Sequence, residues 1–118
     1  MNQWRDNVPI FLQIRQRMIE LILSEAIGEG EALPSVRQIA TELSVNPLTV
    51  TKAYQSLVDL DIVEKRRGLG MFVNKGAREK LLVHERETFL SQEWPAIRGR
   101  IAALGLSLGE LMDRERDQ

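Results

Sequence analysis

The chain has 118 residues, with 16 Lys and Arg against 17 Asp and Glu and a formal net charge of −1. That length holds one domain, or a small domain with an appendage, and its core is small enough that subunit pairing would help stability. There is no cysteine, which excludes disulfides, thiolate metal sites and cysteine nucleophiles, and no apolar run suits a membrane span or a signal peptide, so the expected location is the cytoplasm.

Residues 1–9 read as a poorly ordered lead-in ending at Pro9. The first helix is expected from Ile10 to about Ser24, with Phe11, Ile14, Met18, Leu21 and Ile22 at helical spacing on one face. Ile10, Leu12, Ile19 and Leu23 lie off that stripe, so the helix should be buried against two surfaces. Gly28 and Gly30 break the pattern into a loop. Ser35 then caps a second helix over Val36 to Leu43, and Gln38 completes a capping box. Ile39, Ala40 and Leu43 should point inward.

Ser44 and Val45 form a short turn. Asn46 is the next cap, and Pro47 sits at the first helical position, where its missing N–H costs nothing. Val45 and Val50 have the spacing of a hydrophobic staple. The third helix should run from Pro47 to about Leu60 and bury Val50, Ala53, Tyr54 and Leu57. Ile62 to Arg66 and Met71 to Asn74 read as strands joined by the turn Arg67-Gly68-Leu69-Gly70. A two-stranded hairpin is marginal alone and must pack on the helices.

After Lys75-Gly76 the pattern is helical again. Val83, Leu90, Trp94, Ile97, Ile101 and Leu104 recur at steps of 7, 4, 3, 4 and 3 residues, close to a coiled-coil seam. Pro95 should interrupt it and start a new helix at a kink near Trp94. Gly105 suits a helix stop, and Ser107-Leu108-Gly109-Glu110 a cap for a last short helix.

The fold class is therefore mainly α with a small β-hairpin. A winged helix-turn-helix domain over residues 1–76 is followed by a short α-helical dimerisation tail over 77–118. An enzyme lacks parts: His84 is the single histidine, and no phosphate loop or nucleophile elbow is present. No metal or cofactor is called for.

A helix-turn-helix with a wing is a device for lying in a DNA groove. The N-terminal exposed side chains of its recognition helix are Leu48, Thr49, Thr51 and Lys52. Thr49 and Thr51 can bond a base or phosphate, or touch a thymine methyl, and Lys52 can reach a guanine or a phosphate. Arg37 suits a phosphate, beside the N–H groups at both helix N-termini. Lys65, Arg66 and Arg67 make the wing cationic, and Gly68 permits close approach to the DNA backbone. From Asn46 to Gly76, Lys52, Lys65, Arg66, Arg67 and Lys75 outweigh Asp59, Asp61 and Glu64, although the whole chain is near neutral.

These residues resemble the winged-helix domain of the GntR family of bacterial transcription regulators over about residues 9–75. The likeness is carried by Pro9-Ile10-Phe11, Gln13-Ile14, Leu33-Pro34-Ser35, Arg37, Ala40, Leu43 and Val45. It continues through Thr49-Val50, Ala53, Leu57, Arg67-Gly68-Leu69-Gly70 and Phe72-Val73. Asn46-Pro47, Thr49-Val50 and Lys52-Ala53-Tyr54 are similar to the YtrA-type subgroup, whose short helical tail replaces a large effector domain. The resemblance implies a homodimeric repressor of a nearby operon, often of transporter genes. It also implies a double-stranded DNA operator contacted through Arg37, Thr49, Thr51, Lys52 and Gly68, and a dimer interface on the tail. The chain departs from the family at Pro47 and Thr51, where arginines are frequent. It departs also at Leu48, where the subgroup often has a polar residue, and at Met71, where the wing often has Thr.

An alternative function is a protein-interaction adaptor, favoured by the near-neutral charge and by Leu48. A small-molecule effector of unidentified chemistry is a further candidate partner, with Trp94 as a lining residue; packing is the simpler role for that side chain.

Overall fold

Helix α1 spans Ile10–Leu23 in the computed structural model, which describes residues 4–116. Ile14, Met18, Ile19 and Ile22 are buried. Ile19 lies off the main stripe, so α1 is covered on two sides, as its apolar pattern requires. Residues 4–9, expected as a loose lead-in, are held in place. The Gln13 amide accepts from the Arg5 N–H and donates to the Arg5 and Val8 carbonyls, all within 2.9 Å. Trp4 packs on the core with the Arg17 guanidinium over its ring. The rest of the expected lead-in, residues 1–3, lies outside the described residues.

Helices α2 (Val36–Leu43) and α3 (Pro47–Asp59) start at the expected caps. Ser35 Oγ accepts from the Gln38 N–H at 3.0 Å, and Asn46 Oδ1 from the Leu48 N–H at 2.8 Å. The Gln38 side chain turns forward to Glu42 Oε1 rather than back to the cap. The tight turn between the helices comes from Ser44, which is left-handed at φ 55°. Ser44 and Val45 donate to the Thr41 and Ala40 carbonyls and close the end of α2. Val45 is half-buried against the core that contains Val50.

α3 stops at Asp59 because Asp61, also left-handed, and Ile62 donate back to Val58 and Leu57. Strand β1 therefore begins at Val63 rather than Ile62. It spans Val63–Arg66 and pairs antiparallel with β2 (Gly70–Val73), matching Val63 to Val73 and Arg66 to Gly70. The hairpin also has a third partner. Ala32 bridges Phe72, the Gly30 amide donates to the Val73 carbonyl, and the Leu33 amide to the Met71 carbonyl. This short edge supplies the support a two-stranded hairpin lacks.

Helix α4 (Ala77–Thr88) begins inside the same core, where Ala77 and Leu81 are buried. The first compact unit accordingly runs through Leu82, beyond Gly76. A carboxylate and a guanidinium fix the helix start. Glu29 accepts from the Gly76 N–H at 2.9 Å and the Arg78 N–H at 3.4 Å, so it caps α4 from the loop after α1. Arg78 Nε donates to the Leu23 carbonyl at 2.8 Å, covering the C-terminal end of α1, with Glu25 at 3.6 Å. Each charge sits at the helix end whose dipole favours it. Asp61 pairs with Lys80 at 3.1 Å and accepts from the Asn74 amide.

The second unit, Val83–Gln118, is wholly helical among its described residues apart from the Leu104–Ser107 turn. α4 passes into a π-helical turn, Phe89–Glu93, and then into α5 (Trp94–Ala103). A new helix starts at Trp94 with Pro95 in its first turn, as expected, and the interruption before it is a π-turn in a chain that stays helical. Pro95 has no N–H for an ordinary α bond, and the wider turn before it, in which the Trp94 N–H reaches the Phe89 carbonyl, takes up the mismatch. Gly105 and Leu106 donate to Ala102 and Ile101 and end α5. Ser107 Oγ accepts from the Glu110 N–H and caps α6 (Leu108–Arg116). No described residue from Val83 onward is buried. No helix is long and apolar enough to cross a membrane among the described residues.

Candidate nucleic-acid interface

The helix pair is held rigidly from within. Tyr54, 1% exposed, donates its hydroxyl to the Pro34 carbonyl at 2.7 Å, with Met18 Sδ at 3.8 Å. Burial pushes its phenol well above the ordinary value, and Glu42 adds to the rise. Arg15 of α1 reaches Ser56 of α3 at 2.8 Å. α3 is thus pinned on its inner side by Val50, Ala53, Tyr54 and Leu57, all buried. The opposite side carries Leu48, Thr51, Lys52, Gln55 and Asp59, spaced as one helical stripe.

That stripe lines an open groove of about 470 Å³ whose far wall is Phe11 of α1. Two of the expected contact residues, Thr51 and Lys52, lie in it together. Both have intramolecular partners. Thr51 Oγ1 donates to the Pro47 carbonyl at 3.1 Å, and Lys52 Nζ sits 4.2 Å from the centre of the Phe11 ring. Gln55 donates to Asp59 Oδ1 at 3.0 Å. Thr49 is half-buried and does not line the groove. Phe11, expected on the apolar stripe of α1, and Gln55 also belong to this surface, for which the recurrence of 48, 52, 55 and 59 along α3 was the available signal.

The N-terminus of α3 is less open to an anion than its sequence implies. Pro47 has no N–H, the Leu48 N–H bonds Asn46 Oδ1, and the Thr49 N–H bonds the Asn46 carbonyl at 2.9 Å. At α2 the cap takes the Gln38 N–H, and the Val36 and Arg37 N–H groups have no partner among the described residues. Arg37 is exposed one position into that helix, so its guanidinium and these amides share one end.

The wing forms a second cationic element. Gly68 and Gly70 turn its tip with φ of +77° and +113°, where a Cβ would be strained although nothing lies within 4 Å. Leu69 between them is 70% exposed. The wing cations are not equivalent. Arg66 lies 4.3 Å over the Phe72 ring and 2.9 Å from Glu64 Oε1. Lys65 and Arg67 are exposed and unpaired among the described residues. No hydrogen bond or ion pair joins wing to α3 side chains among the described residues.

The expected seam residues divide at the π-turn. Val83 precedes it, Leu90 lies within it, and Trp94, Ile97, Ile101 and Leu104 come after it. A π-turn holds one residue more than an α-turn, so the faces on its two sides are offset by about 100° from an unbroken heptad line. Phe89, Leu108 and Met112 are further exposed apolar residues of this unit.

Comparison with known proteins gives a consistent result. The model of bacterial regulatory proteins of the gntR family matches residues 11–73, from the start of α1 to the end of the wing. The chain is 42% identical over 78 residues to the HTH-type transcriptional repressor YtrA of Bacillus subtilis (strain 168), which covers 66% of this chain and 60% of that protein. It is 32% identical over 118 aligned residues to the HTH-type transcriptional regulator YhcF of the same organism, covering 95% of this chain and 91% of YhcF. A GntR family transcriptional regulator from Listeria monocytogenes has the same fold, with a TM-score of 0.73 over 98% of this chain and 99% of the other at 24% identity.

Proposed function

The chain belongs to the GntR family of bacterial regulatory proteins, and from that premise we propose that it is a homodimeric, sequence-specific DNA-binding repressor of a nearby operon. The observation that carries this reading is the α2–turn–α3 pair, capped at both starts and locked by Tyr54, in one unit with a wing that carries the unpaired cations Lys65 and Arg67. In this reading α3 enters a major groove, with Thr49, Thr51 and Lys52 toward base edges. Arg37 and the free α2 amides take a phosphate. Arg66, Arg67 and Gly68 bring the wing to the DNA backbone.

The dimer reading rests on the second unit. It buries no described side chain and exposes Val83, Leu90, Ile97 and Leu104. A segment this short with no core of its own gains stability by pairing. A twofold dimer reads two half-sites, so the operator would be a pseudo-palindrome with its centres a whole number of helical turns apart. Repression itself is drawn from the likeness to YtrA, which is a repressor. Control of transporter genes is drawn from the subgroup.

A gel-shift series with DNA from upstream of the chain's own gene, repeated across salt concentrations, tests the function. A specific shift that weakens steeply with salt is expected. No specific shift at low salt, or an affinity indifferent to salt, would overturn it and favour a protein partner.

A further inference from the structure

We propose that Leu48 makes the recognition helix a reader of thymine methyl groups, so that operator choice depends on an apolar contact in the major groove. The inference rests on the DNA-binding reading above and adds the base chemistry that α3 recognises.

Leu48 is 75% exposed, the highest value among the exposed large apolar side chains of the described residues. It is not on a loose segment. It occupies the second position of α3, after Pro47, and its N–H is fixed on Asn46 Oδ1 at 2.8 Å. An exposed apolar side chain on a fixed stretch of backbone gains from any surface that covers it. The chain itself leaves it uncovered.

Its neighbours in the groove are polar but engaged. The Thr51 hydroxyl proton goes to the Pro47 carbonyl, the Lys52 ammonium lies over Phe11, and the Gln55 amide donates to Asp59. Leu48, 75% exposed, therefore stands without an intramolecular partner beside three side chains that have one. The occupant is DNA because the same unit carries the unpaired wing cations Lys65 and Arg67 and the open N-terminus of α2 at Arg37. These are phosphate-binding groups, and they would draw a duplex to the unit that exposes Leu48.

In a major groove, the apolar group among the four unmodified bases is the thymine C5 methyl. The other base edges offer polar atoms that a leucine would cover without pairing, which costs free energy. Leu48 thus discriminates in favour of thymine and against the rest.

The test uses the full chain and an operator mapped by footprinting. Each half-site thymine is replaced in turn by deoxyuridine, which removes the methyl group and leaves the polar edge intact. Affinity should fall about fourfold at the one or two positions that Leu48 covers, the effect of one buried methyl-sized group. In Leu48→Ala and Leu48→Asn the ratio of thymine to uracil affinity at those positions should approach one. Both variants should keep the wild-type melting temperature, because the side chain is exposed.

Equal affinity for every uracil-substituted operator would overturn the proposal, as would an unchanged ratio in Leu48→Ala. Either result would leave specific DNA binding in place, so it is distinguishable from failure of the DNA reading itself. In that case the wild-type chain would select no sequence at all, and both proposals would fall.

Discussion

The Tyr54 hydroxyl and the Pro34 carbonyl are joined by a 2.7 Å hydrogen bond that ties the middle of α3 to the residue before the α2 cap. The bond crosses the helix-turn-helix from within. It sets how α3 lies against the start of α2, and therefore how both would meet a duplex.

Removing that bond should be costly for its size. Tyr54→Phe keeps the ring and leaves the Pro34 carbonyl without its donor, so unfolding free energy should fall by about 1–2 kcal/mol in urea titration. A pH effect accompanies it. The folded phenol keeps its proton above the ordinary value of about 10, whereas the unfolded one ionises there. Its stabilisation is complete below about pH 10 and declines as pH rises above that value, because the unfolded state then binds fewer protons. Tyr54 is the single tyrosine, so phenolate absorbance tracks it alone. Tyr54→Phe should lack this part of the alkaline decline, and an identical decline in both proteins would refute the assignment.

Glu29 should matter to α4 despite being exposed and distant in sequence. Glu29→Ala leaves the Gly76 and Arg78 amides without their carboxylate, a loss comparable to deleting a cap, about 1 kcal/mol. Hydrogen exchange should quicken first in the opening turn of α4. Unchanged protection of the Arg78 amide would show that the cap is idle.

The wing arginines should separate in a salt titration. Arg67 has no partner among the described residues, whereas Arg66 is engaged with Glu64 and Phe72. Arg67→Ala should weaken binding to all sequences and lower the salt slope by about 1. Arg66→Ala should do less, since its charge is already partly compensated. The reverse order would mean that Arg66 leaves both partners when DNA binds.

Replacing Ile97 and Ile101 together with Asp should give monomers in sedimentation equilibrium and abolish tight operator binding. Neither side chain is buried within the chain, so the folded winged unit should survive and its melting transition remain. A dimer that persists would place the interface elsewhere.

Local chemistry was the legible part of this fold. Ser35 and Asn46 bond amides two or three residues away, and both helix starts could be read from those residues alone. The apolar spacing of Val50, Ala53, Tyr54 and Leu57 gave the buried side of α3 for the same reason. Distant pairing escaped. Glu29 caps a helix starting far along the chain, and Ala32 joins the hairpin through a single bridge, too short to show alternation. Gln13 reads as an ordinary helix-surface residue until its amide is seen holding Arg5 and Val8. At the candidate interface, residue identity marked Thr51 and Lys52. Their engagement with Pro47 and Phe11 depends on geometry that no spacing encodes.

The π-turn at Phe89–Glu93 has a consequence for relatives of this chain. Such a turn is an α-helix that has accommodated one additional residue. Deleting one residue there, with Pro95 also replaced, would give an ordinary α-helix and rotate the helical segment on its N-terminal side by about 100° relative to α5. A single-residue gap, ruinous within most helices, is therefore tolerable at this point in a chain that has no proline at position 95. Alignments of the tail should show their length differences concentrated between Thr88 and Trp94, and proteins that lack the extra residue should carry their apolar positions shifted by one on the N-terminal side.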